Sequence, residues 1–289
     1  MSPAADLTRR LGGAWHGGYG TARCPAHEDR SPSLSLADGS AGRVLLKCHR
    51  GCSYAEIRSA LRSLGAQVNS QPSNISDREL RVADRENAMR RARQAERAWS
   101  EAQPLRGSLA EAYFRRRGIT CELPPSLAYA ENCWHASATR WPALLARVAG
   151  GPGPAIHRTY LAHDGSGKAP ITPAKAMLGP TKGGAVRLSH GRDRLVVTEG
   201  IETGLSLLSG LLPGAPSVWA ALSAGGMAAL NLPSRPGQLT IASDGDPAGH
   251  AAAEQLAARA YGLGWRVSLL PASEGNDWND VLCGKEARA

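Results

Sequence analysis

Apolar and polar positions change their period along the 289-residue chain. From residue 193 onward, short apolar runs alternate with longer helical patterns. DRLVVTEG, PSVWAALS, QLTIASDGD and WRVSLLPA read as strands, and IETGLSLLSGLL, GGMAALNL and PAGHAAAEQLAARAYGLG as the helices between them. This alternation predicts a parallel sheet with helices on its faces. Residues 120–190 are rich in Gly and Pro, with WPALLARVAGG, AIHRTYLAHDG and AVRLSHG as short strands between turns. SLAEAYFRRRGI predicts a helix opened by a Ser108–Glu111 capping box and closed by Gly118. Residues 77–103, dense in Arg, Glu and Ala, predict another helix with Ser76 as its N-cap. Residues 66–76 contain a proline and no period, and read as a linker. Residues 1–65 place clustered Cys and His around two strand-like runs, SLSLAD and GRVLLK. No internal repeat is visible.

Charge adds a partner to this picture. The 34 Lys and Arg exceed the 25 Asp and Glu by nine, a balance that favours a polyanion such as nucleic acid. Apolar content of 42% leaves enough for a core. No apolar stretch reaches the roughly 20 residues of a membrane span, and the N-terminus MSPAADLTRRLGG has no apolar signal segment. The expected location is the cytoplasm, with the six cysteines reduced.

Four of the metal-binding side chains come in two pairs. Cys24 and His27 form C-x-x-H on a turn, and Cys48 and Cys52 form C-x-x-x-C after the second strand-like run. A hairpin between the pairs brings four soft or borderline ligands together, which suits tetrahedral Zn²⁺. His49 lies inside the second pair and competes with Cys52 for the fourth place, with Cys52 the better ligand. Cys121, Cys133 and Cys283 are scattered and read as packing residues.

A second chemistry follows from the strand ends. Glu199 follows the run RLVVT, Asp244 and Asp246 follow QLTIAS, and Asp277 and Asp280 come just after the last strand. In a parallel sheet the C-terminal strand ends share one edge, where ligands sit. Each acid alone reads as a turn residue or a helix cap. Together they repel one another unless a cation neutralises them, and oxygen donors with a few waters suit Mg²⁺ or Mn²⁺. Glu202 and Asp280 are the weaker members, readable as exposed helix residues. Arg115, Arg116 and Arg117 are little diluted by acids and are candidates for phosphate contact, whereas Arg78–Arg97 is interleaved with acids as on a solvated helix face. Trp134 and Trp141 read as packing residues, with base stacking as the alternative.

In combination, LVVTEGIETGLS, IASDGDPAG and NDWNDVL resemble the Toprim domain of bacterial and phage DNA primases, topoisomerases and related nucleases. The resemblance implies that Glu199 is a general acid/base or metal-linked residue and that Asp244 and Asp246 bind Mg²⁺. The later acidic motif of primases is Asp277-Trp278-Asn279-Asp280 here, with Asn279 in place of a carboxylate. A primase aspartate four residues after the glutamate is Thr203 here, with Glu202 beside it. CPAHEDRSPSLSL and CHRGC resemble the primase zinc ribbon. KAPITPAKAMLGPTKGGAVRL resembles the basic segment of the primase polymerase core, where lysines hold nucleotide and template. Lys175 matches best there, followed by Lys168, Lys182 and Arg158. YFRRRGI resembles a short motif of phage and plasmid primase-like proteins.

The expected fold class is therefore α/β. A zinc-binding ribbon spans 1–65, a linker and charged helix 66–103, a mixed basic subdomain 104–190 and a Toprim domain 191–289. The implied function is a phage- or plasmid-type DNA primase that makes short RNA primers on a single-stranded DNA template from nucleoside triphosphates. A separate replicative helicase is its expected partner, since no GxxxxGK[ST] pattern is present. A metal-dependent Toprim nuclease and a non-catalytic zinc/Toprim DNA-binding accessory protein are the alternatives.

Overall fold

Period-2 alternation of Leu34 and Leu36 against polar neighbours closes a small antiparallel sheet near the N-terminus. The computed structural model describes residues 2–16, 18–29, 32–39, 43–65, 77–192 and 194–284. The linker expected at 66–76, with the Ser76 cap, lies outside them. The chain divides into two compact units, residues 1–81 with 134–140, and 82–133 with 141–289.

In the first unit, helix α1 (Pro3–Arg10) precedes strands β1 (Ala14–Trp15), β2 (Gly20–Ala22), β3 (Leu34–Asp38) and β4 (Val44–Cys48), then helix α2 (Tyr54–Ser63). The strands pair antiparallel in the order β1-β2-β3-β4. Ser53 and Glu56 close a reciprocal capping box that starts α2. Leu7, Leu34, Leu36, Ile57 and Leu61 form a small core together with Cys24 and Cys48.

The long helix α3 (Asp77–Ser100) runs from the end of the first unit into the second and is followed by the short α4 (Leu109–Arg116). Ser108 caps α4 as expected, while Glu111 reaches back to the Gly107 N–H at 2.7 Å rather than to Ser108. Gly118, at φ +73°, supplies the left-handed residue that ends the helix. Strands β5 (Leu127–Trp134), β6 (Arg140–Ala149), β7 (Ala155–Tyr160), β8 (Lys175–Leu178) and β9 (Ala185–Arg187) follow. Then come β10 (Leu195–Thr198), α5 (Ile201–Ser206), β11 (Ser217–Ala220), α6 (Ala224–Ala228), β12 (Gln238–Ala242), α7 (Pro247–Gly262), β13 (Arg266–Leu269) and α8 (Trp278–Leu282).

Among the described residues, nine strands make one sheet in the order β13-β12-β10-β11-β9-β6-β7-β8, with β5 on β6. The four strands β13, β12, β10 and β11 are parallel. The three-residue β9 is antiparallel to both β11 and β6, and so joins the parallel part to the antiparallel hairpins. Alternate residues serve opposite faces. Leu195 and Val197 of β10 pack with Leu239, Ile241, Met227 and Leu256, whereas Val196 packs with Tyr113, Phe114, Ile201 and Leu205. Both faces are covered, so the central strands read as unbroken apolar runs. In β6, Leu145 faces Ala95 of α3 and its neighbours, while Leu144 faces the α4 side.

Phe114 is the only phenylalanine of the chain and is fully buried in this core. Phe114→Ala should cost about 3–5 kcal/mol of stability, measured by denaturant unfolding.

Candidate functional site

The first unit carries a closed donor set. Cys24 follows β2, His27 lies in the next turn, Cys48 ends β4, and Cys52 precedes the α2 cap. Antiparallel pairing of Leu34 with Cys48 brings the two ligand pairs together. One donor atom from each of the four lies within 4.8 Å of all the others. His27 Nδ1 is 3.2 Å from Cys52 Sγ and 3.9 Å from Cys48 Sγ. These separations bracket the roughly 3.5 Å edge of a tetrahedral N/S zinc site. Burial opposes ionisation of Cys48, yet the backbone N–H groups of Cys52 and Arg50 bring its thiol down to about 6. One thiolate is therefore ready for a cation. His49 is exposed and bonds Ser35 Oγ at 2.7 Å, outside the set.

Asp29 braces this cluster from behind. Its side chain is only 1% exposed. It accepts hydrogen bonds from the Cys24 N–H (2.7 Å), the Ser33 N–H (3.1 Å) and the Ser33 hydroxyl (2.6 Å). It also stands 3.7 Å from His27 Nε2, the ring nitrogen turned away from the thiols. Carboxylates in that position fix the orientation of a metal-bound imidazole.

In the second unit, β10 sends its following helix α5 to one face, and β12 sends α7 to the other. The crevice at the C-terminal ends of these adjacent strands is the switch point where ligands bind in open parallel sheets. Glu199 and Asp244 sit there. Burial raises the pKa of Glu199, and Asp244 and Asp246 add to the shift. Burial and Asp277 raise Asp244 to about 6, against a hydrogen bond from the Thr203 hydroxyl at 3.2 Å. Thr203 thus supports Asp244 rather than supplying a further charge. Asp246 caps α7 by accepting from the Gly249 N–H at 2.6 Å. Asp277 caps α8 through the N–H groups of Asn279 and Asp280 at 2.8 and 2.9 Å. Asp280 closes that capping box on the Asp277 N–H at 3.3 Å. Asn279 is buried and bonds the Arg117 carbonyl (2.8 Å) and Ser206 hydroxyl (3.0 Å), which staples α8 in place.

Gly245 sets the separation of these acids. A Cβ there would collide with the Ser273 carbonyl oxygen. Gly245 and the loop that leads to Asp277 exchange main-chain bonds, Gly245 N–H to Asn276 O and Gly275 N–H to Gly245 O, both 2.9 Å. Among the described residues, only the Cys/His four have metal-binding atoms closed within 4.8 Å. Among the described residues, Glu199, Asp244, Asp246 and Asp277 form no such closed set. That fits Mg²⁺, which keeps several waters and takes one or two carboxylates plus substrate oxygens. Burial, and then the neighbouring acids, raise both Glu199 and Asp244, and a bound cation would offset both penalties.

A basic group acts on the same acids. Lys175 opens β8, and its ammonium is 3.1 Å from Glu202 on α5. In the sequence Glu202 is a weaker member of the acidic group, readable also as an exposed helix residue. It is instead buried, at 6% side-chain exposure, because α5 is enclosed on all sides. Burial would raise its pKa, but Lys175 and Lys168 outweigh burial and hold it well below the usual carboxylate range. Tyr113 of α4 donates its hydroxyl to the other oxygen at 2.9 Å. Lys168 lies at the exposed rim, where partial burial lowers its pKa and Glu202 and Asp277 oppose that. Nearby His157 is held neutral, down to about 4, by burial and by Lys175.

The other predicted basic residues are dispersed. Arg115 is tied to the carbonyls of Ile119 (2.9 Å) and Cys121 (3.2 Å) and to Glu111. Arg116 is exposed, and Arg117 stacks 5.6 Å over the Tyr113 ring. Arg158 stacks on Tyr160 at 5.6 Å, and Lys182 is exposed between β8 and β9. Trp141 stacks on His163 at 4.7 Å, while Trp134 is 52% exposed. Of the three cysteines read as packing residues, Cys133 is buried but Cys283 is exposed. A cleft of about 710 Å³ lined by Trp99, Leu105, Arg115, Leu123 and Pro124 contains none of the carboxylates from 199 to 280. No helix among the described residues is long and apolar enough to cross a membrane.

Comparison with known proteins agrees with the resemblance read from the sequence. Residues 194–287 match the Toprim domain family, and residues 89–188 match a family described as a domain of unknown function, DUF7146. No curated protein matches the chain. Similar solved structures include a DNA primase domain from Pseudomonas aeruginosa, at 16% identity over 68% of this chain and 75% of that one, TM-score 0.42. The zinc-binding and RNA polymerase domains of Aquifex aeolicus primase align at 16% identity over 98% of this chain and 83% of theirs, TM-score 0.41. The RNA polymerase domain of Mycobacterium tuberculosis primase aligns at 18% identity over 69% and 83%, TM-score 0.42.

Two outcomes follow. Asp29→Asn should weaken zinc retention on the order of ten-fold, read by competition with a chromophoric chelator. Asp244 is the second case. Its folded pKa lies above the unfolded value of 3.8, so the folded state holds more protons and metal-free stability falls as pH rises from about 4 to 6. Asp244→Asn should remove that pH dependence and raise the metal-free melting midpoint at pH 7 by about 2–4 °C, while abolishing any stabilisation by Mg²⁺.

Proposed function

We propose that the chain is a primase-type nucleotidyltransferase that makes short RNA primers on single-stranded DNA. The observation that carries this reading is the two-sided charge of the second-unit site. Burial and neighbouring acids raise the pKa values of Glu199 and Asp244, while Lys175 acts electrostatically on both and Lys168 on Asp277 and Glu202. A ligand that is polyanionic and arrives with a divalent cation satisfies both halves. A nucleoside triphosphate has that composition.

In this reading Asp244, Asp246 and Asp277, with Glu199 and Asp280 beside them, hold Mg²⁺ or Mn²⁺. Such an ion supplies positive charge to the attacking and leaving oxygens of a phosphoryl displacement. Lys175 and Lys168 neutralise the triphosphate, with Arg158, Lys182 and Arg116 at greater distance along the nucleic acid. Thr203 keeps one Asp244 oxygen oriented. The primer 3′-hydroxyl loses its proton and its oxygen bonds to the α-phosphorus, while the bond to the β-phosphate oxygen breaks and pyrophosphate leaves. Glu199, with its raised pKa, is suited to take that proton. Cys24, His27, Cys48 and Cys52 hold Zn²⁺, and the ribbon around them reads the single-stranded template. A separate helicase supplies that strand.

The test is incubation of purified protein with mixed single-stranded templates, all four ribonucleotides and Mg²⁺ or Mn²⁺, with products resolved on a denaturing gel. Short labelled oligonucleotides should appear with the wild type, and Asp244→Ala should lower their yield by at least about 100-fold, the scale on which loss of metal-centred charge stabilisation acts. Primer synthesis untouched in Asp244→Ala would sink the site assignment. Shortened templates in place of primers would identify a nuclease, and tight strand binding without either product an accessory DNA-binding protein.

A further inference from the structure

The buried pair Glu202–Lys175 belongs to neither half of the charge pattern in a simple way. Glu202 follows Glu199 by three residues, yet both of its oxygens are engaged by partners outside the acidic group. One accepts from Tyr113 at 2.9 Å and the other from Lys175 at 3.1 Å. Its side chain is 6% exposed, while that of Lys175 is 37% exposed. The carboxylate is therefore locked inside, and the ammonium it holds reaches the surface of the site.

The choice of cation is also unusual for this chain. Only five of its 34 basic residues are lysines, and three of those, Lys168, Lys175 and Lys182, fall within 15 consecutive positions. Elsewhere the sequence uses arginine. A guanidinium forms a rigid two-pronged clamp on a carboxylate. An ammonium is a compact charge with three donors on a flexible stem. Lys175 can give one donor to Glu202 and keep two for another anion.

We propose that Glu202 is a positioning residue that holds Lys175 at a polyphosphate subsite, with the Tyr113 hydroxyl fixing the carboxylate. Residues 89–188, which match a domain of unknown function, then contribute the cationic half of the site through Tyr113, Lys168 and Lys175, and the Toprim segment contributes the carboxylate that orients it. The identity of the polyphosphate as a nucleoside triphosphate rests on the function proposed above. The positioning role does not. His157, buried beside Lys175 with its Nδ1 lacking a hydrogen-bond partner, is held neutral by burial and by Lys175, so it adds a polar group to the subsite and no charge.

The experiment uses full-length, zinc-loaded protein labelled with ¹⁵N-lysine, in which five ammonium signals are possible and Lys175→Arg identifies the one from Lys175. An ammonium held in an ion pair exchanges slowly enough with water to be seen. The wild type should show the Lys175 signal, and Mg–ATP and inorganic tripolyphosphate should both shift it. Glu202→Gln should abolish the signal. Tyr113→Phe, which keeps the buried ring, should shift it and weaken tripolyphosphate binding by about three- to ten-fold, the value of one hydrogen bond, in protein that still melts cooperatively at a lowered midpoint. A Lys175 signal unaltered in both variants overturns the positioning role. A signal indifferent to ATP and tripolyphosphate overturns the subsite. Primer synthesis is a separate readout: its absence beside an ATP-shifted Lys175 signal would remove the polymerase reading and leave this inference standing.

Discussion

A carboxylate enclosed by protein must find a cation, and that requirement ties the second unit together. Glu202 sits on a helix whose every residue is buried, so no water is available to it. Its partners come from α4 and β8, both in the stretch before the parallel strands. The site therefore cannot form from the parallel strands alone. The continuous sheet makes the same connection in its backbone, through a β9 of only three residues paired on both edges. Side-chain charge and main-chain pairing enforce one arrangement, in which Lys175 is held against Glu202.

Crowding of like charge is the complementary constraint. Asp244, Glu199 and their neighbours are held near one another by strand ends and helix caps, not by attraction. Two of the acids are anchored by giving one oxygen to a helix N-terminus, Asp246 to α7 and Asp277 to α8. The caps position each carboxylate and leave its second oxygen to the crevice. The same residues thus start helices and present charge, which resolves the tension between reading them as caps and reading them as ligands.

Much of this was legible in the residues. The alternation from 193 onward predicted the parallel strands because both faces of the sheet are covered, which leaves strongly apolar strand signals between helices. The Cys/His pairs predicted their own convergence because a hairpin separates them. Less visible was Glu202. Its position as the one charged residue between Gly200 and Asn231 was the available signal, since a charge in such a segment must be paired if the segment is buried. Tyr113 gave no signal, because its partner lies 89 positions away. The replacement of carboxylates by Thr203 and Asn279 was visible, but their substitute roles, a hydrogen bond to Asp244 and a staple under α8, depend on neighbours that only the folded chain brings near.

Gly245 has a further consequence. The distance from the Asp244–Asp246 pair to Asp277 is carried by main-chain contacts between Gly245 and residues 273–276. The loop acts as a ruler made of backbone, indifferent to most of its side chains and sensitive to its length. Variation in Glu274, which contributes only its carbonyl to this loop, leaves the gauge unaltered, whereas a single inserted residue would recalibrate the whole acidic rim.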